Sequence, residues 1–415
     1  MVTFLHTADW QIGMTRRWLQ GEAQARFADA RVGAIRRLGA IAVEQGCEFV
    51  VVCGDVFESN QLSGQTVRRA LEALREVPVP VYLLPGNHDP LDAVSLYRLP
   101  LFRQECPAHV HVLDTPGPVT IAEGVELVAA PWESKHPGED LVGRVIADLG
   151  PADGTVRIVA GHGAVDALDP DRDNPAAIRL EPVERALQEG RIHYLALGDR
   201  HSRTRVGESG AVWYSGTPEV TDPREESPGD VLVVRVEDGS PPHVVPHHIG
   251  TWDFRVISRE LGAASDVAAL DAELSALQRK DRTVVRLALR GALGLAEHAR
   301  LAALLAGHGE VLAALHDWDR HTDLAVVTDG TDLSALGLGG FVATAAEEIR
   351  GCAIDLEGSG IRDGESAAVV PPAPDLEVDQ VETIDWSFDP FRPEDAESAK
   401  EALTLLYRFT TEAPR

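Results

Sequence analysis

Five apolar segments in the first half of the chain each end at a residue type that binds metal ions, usually beside a glycine. In open α/β sheets, ligands collect outside the carboxyl ends of the strands, and glycine lets the backbone turn sharply there. The pattern therefore predicts that these distant side chains meet at one site. The segments are Phe4–Asp9, Val51–Asp55, Leu83–Asp89, Ile158–His162 and Ala196–His201.

The residue types in these endings are suited to cleavage of a phosphate ester. Carboxylates, imidazoles and an amide oxygen can hold a pair of divalent ions, which stabilise both the attacking and the leaving oxygen. A single Gly-Asp after a strand is usually an ordinary turn, and a lone histidine at a strand end is usually structural. Five such endings in one domain favour a two-metal phosphoesterase over those simpler interpretations.

The motifs resemble those of the calcineurin-like metallophosphoesterases and, within them, the SbcD-type nucleases of the meiotic-recombination-eleven family. The resemblance covers about residues 1–250, and Gly-Asn-His-Asp is its most specific part. His6 to Trp10 and Gly54 to Phe57 favour the nuclease branch. The matching motifs are Asp9-Trp10-Gln11, Gly54-Asp55, Gly86-Asn87-His88-Asp89, Gly161-His162-Gly163 and Gly198-Asp199-Arg200-His201.

The resemblance implies a role for each of these residues. Asp55 would bridge two ions, His88 would contact the scissile phosphate and help to protonate the leaving oxygen, and Asp89 would orient the His88 ring. It also implies manganese dependence and a coiled-coil ATPase partner of the SbcC type. The remaining ligands would be Asp9, Gln11 and His201 on the first ion, and Asn87, His162 and Asp199 on the second.

Two ligand positions depart from the family pattern, which usually has Asp-x-His in the first motif and Gly-His-x-His in the last. Gln11 and Asp199 stand where histidines are usual. A neutral glutamine oxygen should hold the first ion less firmly than an imidazole would. The extra carboxylate should make the second position better suited to hard cations that prefer oxygen ligands. We therefore expect two divalent ions, with manganese or magnesium preferred over zinc. Decay to a non-catalytic scaffold is the alternative, but most of the site residues remain.

The expected fold class is a layered α/β sandwich with a small α/β cap and an acidic C-terminal tail. We expect a nuclease domain over 1–250 and a cap over 251–340, with strands over 254–258, 285–289 and 324–327 and helices over 267–277 and 295–315. Residues 341–392 are expected to form an acidic linker, and 393–415 a terminal helix. Its apolar stripe could pack on its own domain or dock on a partner.

Charge is the main objection to a DNA substrate, since the chain has 66 Asp and Glu residues but only 38 Lys and Arg residues. Residues 351–415 alone carry about ten net negative charges, and basic residues flank the predicted site. A few arginines can neutralise phosphates, and an aromatic ring can stack on a base. The alternative is solvated arginines, with the tryptophan in the core. The candidate DNA contacts are Arg16, Arg17, Trp18, Arg200, Arg203 and Arg205.

Several function classes remain open or can be set aside. A phosphodiesterase of a nucleotide or another small phosphate ester could use the same metals, and a catalytically weak subunit that regulates an ATPase is a third hypothesis. A serine hydrolase is not supported, since no Gly-x-Ser-x-Gly motif occurs. The few cysteines and the lack of a long apolar run suggest a soluble, cytoplasmic protein. The resemblance to DNA-repair nucleases further implies association with the nucleoid. The resemblance also implies a homodimer formed through helices of the first domain, where Phe27, Ile35 and Leu38 could serve either a core or an interface.

Overall fold

The computed structural model describes residues 1–318, 320–327, 348–349 and 402. The chain divides into two compact units. The first comprises Met1–Val256, Gln278–Arg286 and Val311–His316, and the second comprises Ile257–Leu277, Leu287–Glu310 and the described residues from Asp317 onward. The units therefore interleave along the chain, and the division at residue 250 stays a prediction.

The first unit contains two six-stranded sheets. In the first sheet the strand order is β12-β11-β1-β2-β3-β4, and β1 to β4 run parallel. Strands β1 to β3 are rich in β-branched residues and are buried along their whole length, as expected of parallel strands covered on both faces. The bounds of the six strands are β1 Val2–Thr7, β2 Phe49–Cys53, β3 Val81–Leu84, β4 Val110–Val112, β11 Asp230–Val236 and β12 His243–His248.

The second sheet has the strand order β5-β6-β7-β8-β10-β9. Its central strands are parallel, with Ala160 opposite Ala196 in the register of β7 and β8. Strand β5 is the exposed edge, and it pairs with β6 in antiparallel fashion. The bounds are β5 Gly117–Ala122, β6 Val125–Ala129, β7 Val156–His162, β8 Tyr194–Gly198, β9 Thr204–Val206 and β10 Val212–Tyr214.

The two sheets pack face to face and carry helices on their outer faces. Phe4 and Val51 of the first sheet share one buried cluster with Ile158 and Tyr194 of the second. A second cluster lies between the first sheet and α1 and α2, and a third between the second sheet and α4 and α5. The helices are α1 Gly21–Glu44, α2 Gly64–Arg75, α3 Pro100–Glu105, α4 Leu141–Ala147 and α5 Leu180–Gln188. The predicted α/β layered sandwich is confirmed.

The later part of the chain forms a four-stranded sheet with order β13-β14-β15, in which β16 also pairs with β14. The helix predicted over 295–315 is wrong at its carboxyl end, because α7 stops at Gly309 and Ala314–Asp317 form a strand. Gly307 and Gly309 weaken helix propensity at that point. The bounds are β13 Asp253–Leu261, α6 Ala264–Ala276, β14 Thr283–Gly294, α7 Leu295–Gly309, β15 Ala314–Asp317 and β16 Asp323–Val327.

Three further expectations concern the α1 helix, the C-terminal region and membrane-spanning helices. Phe27, Ile35 and Leu38 of α1 are buried within the chain, so they belong to the core and cannot supply a dimer interface. The acidic linker over 341–392 and the terminal helix over 393–415 lie outside the described residues. Among the residues that are described, no helix has the length and apolar character needed to cross a membrane.

Candidate metal centre

The predicted site residues all follow strands that end at one edge of the sandwich. Asp9 and Gln11 follow β1, Asp55 follows β2, and Asn87 and His88 follow β3 in the first sheet. In the second sheet His162 ends β7, and Asp199 and His201 follow β8. Because β1, β2 and β3 are parallel to one another, as are β7 and β8, the topology brings their carboxyl ends together.

One group of ligand atoms gathers around Asp55 and His162. Ligand atoms of Asp9, Asp55 and His162 all lie within 4.8 Å of one another. Nε2 of His162 lies 3.5 Å from Oδ1 of Asp55 and 3.8 Å from Oδ1 of Asp199. The side-chain amide of Asn87 approaches the same nitrogen at 2.7 Å. The structure therefore brings together the four residues that the resemblance assigns to the second ion, which are Asp55, Asn87, His162 and Asp199.

The His162 ring is held with Nε2 facing this group. Its Nδ1 lies 2.9 Å from the carbonyl oxygen of Cys53, which can only accept, so Nδ1 carries the hydrogen. In the neutral ring this leaves the lone pair on Nε2, as a metal ligand requires. Trp132 packs edge-on against the ring and donates from Nε1 to the His162 carbonyl oxygen at 2.8 Å.

A second group lies around Gln11 and His201. The Nε2 atoms of the two side chains are 3.3 Å apart. Oε1 of Gln11 is buried and has no hydrogen-bond partner. An unpaired buried amide oxygen is costly unless something not yet counted binds it. A cation coordinated by this oxygen would remove that cost.

The amide of Asn87 gives an independent test of whether the residues fit metal ions. Besides Nε2 of His162, one of its two terminal atoms lies 3.3 Å from each carboxylate oxygen of Asp55. An amide nitrogen at that position would donate to these atoms, whereas an amide oxygen there would face the Asp55 carboxylate favourably only with a cation between them. With the unpaired Gln11 oxygen, this arrangement fits a pair of divalent ions with mainly oxygen ligands.

The backbone at the site is strained where the ligands lie. Six non-glycine residues among those described have positive φ, and four of them are predicted ligands: Asp9 (54°), Gln11 (45°), Asp55 (52°) and Asp199 (98°). Such conformations persist where the surrounding structure enforces them, and they cluster at functional sites. Glycine is required beside them, because a Cβ at Gly86 would lie 2.3 Å from Oδ1 of Asp55.

Burial and crowded charge shift the pKa values of these groups. Burial raises the pKa of Asp9 to about 7 and also raises the pKa of Asp199. Burial lowers the pKa of His162, but the charges of Asp55, Asp199 and Asp9 outweigh it and raise that pKa to about 9. Several desolvated carboxylates therefore face one another, and divalent cations would stabilise their charged forms.

The ring of His88 lies beside the ligand group, but Asp89 does not orient it, contrary to our expectation. Nδ1 of His88 lies 3.0 Å from the carbonyl oxygen of Glu58, and Nε2 lies 4.0 Å from Oδ2 of Asp55. The buried Asp89 carboxylate instead accepts from the N–H of Gly86, the N–H of Phe57 and the Tyr97 hydroxyl. It stabilises the Gly86–Asp89 loop, and the Glu58 carbonyl orients the imidazole.

A family comparison matches the motif-bearing part of the chain. The family model described as calcineurin-like phosphoesterase matches residues 2–203, which span all seven predicted metal ligands. Residues 2–203 are a calcineurin-like phosphoesterase domain. Strands β1 to β8 and the loops that carry the predicted ligands lie within this match, and the convergence of those residues accounts for the recurring strand endings of the sequence.

Three curated relatives are similar to the chain over shorter stretches. The DNA double-strand break repair protein Mre11 of Archaeoglobus fulgidus is 33% identical over 100 residues, which are 23% of this chain and 21% of that protein. The SbcD subunit of the nuclease SbcCD from Rhodobacter capsulatus is 36% identical over 91 residues, 21% of each chain. The uncharacterized metallophosphoesterase YhaO of Bacillus subtilis is 30% identical over 98 residues, 22% of this chain and 24% of that one. The matches thus span about a quarter or less of each relative.

The six candidate DNA contacts near the phosphoesterase site differ in what they touch. Arg16 donates from Nη2 to the carbonyl oxygen of Thr221 at 2.9 Å. Arg203 pairs with Asp230 at 2.7 Å. The Trp18 ring packs edge-on against Phe254, with centroids 5.3 Å apart. These three side chains are thus engaged within the protein. Arg17, Arg200 and Arg205 are exposed, and Arg200 also donates from Nε to the Thr204 hydroxyl at 2.9 Å.

Sequence reasoning missed the groups that hold His88 and the ligand histidines in place. They include the carbonyl oxygens of Cys53 and Glu58, and the side chains of Thr221 and Glu225, which contact Nδ1 of His201. A carbonyl oxygen leaves no trace in residue type, and Glu225 lies in an ordinary polar loop. His6, by contrast, stands in the first motif but lies in the core, where its Nε2 is 3.1 Å from the Leu197 carbonyl oxygen.

Proposed function

We propose that the chain is a two-metal phosphodiesterase that hydrolyses DNA. The observation that carries this proposal is that ligand atoms of Asp9, Asp55 and His162 lie within 4.8 Å of one another, with Asn87 and Asp199 beside His162. Two divalent ions held there would act as Lewis acids toward the phosphoryl oxygens. Manganese or magnesium suits the oxygen-rich set of Asp9, Gln11, Asp55, Asn87 and Asp199 better than zinc does.

His88 is the residue best placed to act on the leaving group. Its Nδ1 donates to the Glu58 carbonyl oxygen, so Nε2 is directed toward Asp55 and the ligand group. In the hydrolysis, water adds to phosphorus, the ester P–O bond breaks, and the leaving oxygen takes up a proton. A protonated His88 would donate that proton from Nε2, while Glu58 holds the ring in place.

DNA is proposed as the substrate because two similar proteins are named as a double-strand break repair protein and a nuclease subunit. The exposed Arg17, Arg200 and Arg205 would contact the phosphate backbone. By the same resemblance we propose a cytoplasmic, nucleoid-associated protein with an SbcC-type ATPase partner. This partner would provide further contacts with DNA. We further propose that this ATPase docks on residues 393–415 and that the chain forms a homodimer.

A second candidate is a phosphodiesterase of a nucleotide or another small phosphate ester. It is favoured by the contacts of Arg16 with Thr221 and of Arg203 with Asp230, which reduce the basic surface available to a polyanion. The overall formal charge of −28 points the same way. Both candidates use the same metals and His88, so only the substrate separates them.

One assay distinguishes the candidates. The purified chain is incubated with manganese and end-labelled duplex DNA, single-stranded DNA, a cyclic dinucleotide or a p-nitrophenyl phosphodiester. We expect release of nucleotides from DNA that depends on manganese and is lost in His88→Ala. Cleavage of the small esters alone would support the second candidate. A chain that binds the metals but cleaves none of these substrates would instead support a regulatory subunit.

A further inference from the structure

His201 is contacted on its outer side by a polar pair from one loop. Nδ1 of the His201 ring lies 2.7 Å from the Thr221 hydroxyl and 2.9 Å from Oε1 of Glu225. The other carboxylate oxygen of Glu225 accepts the backbone N–H of Thr221 at 2.9 Å, and the Thr221 hydroxyl also donates to Glu225. The ring, the hydroxyl and the carboxylate therefore form one closed set of hydrogen bonds.

The Glu225 carboxylate is nearly buried, with 8% of its side chain exposed. Among the described residues, the ion pair found for Glu225 is the one with His201. A buried carboxylate is costly unless its oxygens are bonded, and here the bonds come from His201 and Thr221. Glu225 therefore keeps its bond to His201 only when the ring is oriented with Nδ1 toward the carboxylate.

The loop that carries the pair is itself attached to the ligand loops. Arg16 donates to the Thr221 carbonyl oxygen, and the backbone N–H of Glu226 donates to the Ser202 hydroxyl at 3.0 Å. The Thr217 hydroxyl donates to the Asp9 carbonyl oxygen at 2.9 Å. The position of Glu225 is therefore fixed relative to the residues that would hold the first ion.

We infer that Glu225, assisted by Thr221, is a positioning residue that fixes His201 as a ligand of the first metal ion. A carboxylate that accepts from Nδ1 keeps the hydrogen on that nitrogen, turns the lone pair of Nε2 toward Gln11, and makes the imidazole a stronger donor. This matters in particular here, because Gln11 offers only a neutral oxygen at a position where the family usually has histidine. The inference rests on the two-metal site proposed above.

Metal affinity measured without substrate tests the inference. Manganese binding to the full chain is followed by calorimetry and by electron paramagnetic resonance for wild type and for Glu225→Gln, which keeps the shape but removes the charge. We expect the affinity for one ion to fall about 10- to 100-fold, with the other ion unaffected. Glu226→Gln is the matched control, since Glu226 is exposed in the same loop and should leave both affinities unchanged.

A second variant and a second measurement keep the inference testable if Glu225→Gln does not fold. Thr221→Val removes the hydroxyl without a change of charge, and it should weaken the same ion to a smaller degree. In ¹⁵N spectra of the histidines, the His201 signals of wild type should report hydrogen on Nδ1, and those of the variants should change. Unchanged binding of both ions, or an equal loss at both, would overturn the inference. A wild type that binds the ions but cleaves no DNA would refute only the proposed substrate.

Discussion

The backbone N–H of Asp199 donates to both carboxylate oxygens of Asp9, at 3.0 and 3.1 Å. The two residues are 190 positions apart and follow strands of different sheets. This bond joins the β1 loop to the β8 loop directly at the centre of the site. The ligand set therefore depends on the two sheets being packed together, and a loosened sandwich would separate the ions' ligands.

Metal binding should stabilise the protein more at higher pH. Burial raises the pKa of Asp9 from 3.8 to about 7, so between these values the metal-free folded chain holds a proton that the unfolded chain has lost. This contribution to stability is present at low pH and is lost as the pH rises toward 7. Manganese needs the deprotonated carboxylate, so its effect on Tm should be larger near pH 8 than near pH 6.

Thermal unfolding with and without manganese at the two pH values measures this effect. In Asp9→Asn, which cannot ionise, the dependence of the manganese effect on pH should shrink. A shift in Tm that is equal at both pH values in wild type would contradict the assignment of Asp9 as a ligand.

Replacement of His88 should impair catalysis while leaving the metals in place. His88 contacts Glu58 and approaches Asp55 but is not assigned as a ligand, so His88→Ala should lower kcat by about 10²- to 10⁴-fold. The metal content, measured by elemental analysis, should stay at the wild-type level. His243→Ala, at an exposed position in β12, serves as the control. Loss of metal together with activity would show that His88 is a ligand after all.

Gly86→Ala should disrupt the site by steric overlap alone. The added Cβ would lie 2.3 Å from Oδ1 and 2.5 Å from the backbone nitrogen of Asp55, so one of the two loops must shift. We expect a loss of about 1–3 kcal/mol in the free energy of unfolding and weaker manganese binding. At Gly138 a Cβ meets nothing within 4 Å, so Gly138→Ala is the matched control. Denaturant titration that finds both variants equal to wild type would refute this account of the loop.

Two arginines from one basic cluster should behave differently toward DNA. Arg205 is exposed, whereas Arg203 pairs with Asp230. Arg205→Ala should weaken binding of duplex DNA and reduce the slope of log affinity against log salt by about 1. Arg203→Ala should chiefly lower Tm. An unchanged salt slope in Arg205→Ala would argue against Arg205 as a phosphate contact and would favour a small substrate.

The sequence was most informative where chemistry and topology coincide. Because parallel strands place their carboxyl ends at one edge, the residues after β1, β2, β3, β7 and β8 could be predicted to meet, and the structure brings them together. Buried runs such as Phe49–Cys53 likewise indicated the layered fold. Both inferences depend on residue type and order, which the sequence contains.

The sequence could not reveal contacts made by the backbone or decided by packing. Asp89 was expected to orient His88 because the two are adjacent, but the turn directs its carboxylate to Gly86, Phe57 and Tyr97 instead. Trp18 packs against Phe254, a residue far away in the chain. Phe27 has the same residue type whether it lies in a core or in an interface, and only the position of its neighbours decides between them.

The central claim is that these side chains hold two divalent ions that share Asp55. The most direct test is anomalous diffraction at the manganese edge from crystals soaked in manganese. We expect two anomalous peaks, both bound by Asp55, with His201 and Gln11 beside one and His162 and Asn87 beside the other. Manganese bound elsewhere, or peaks that leave Asp55 without contact to either ion, would contradict the account.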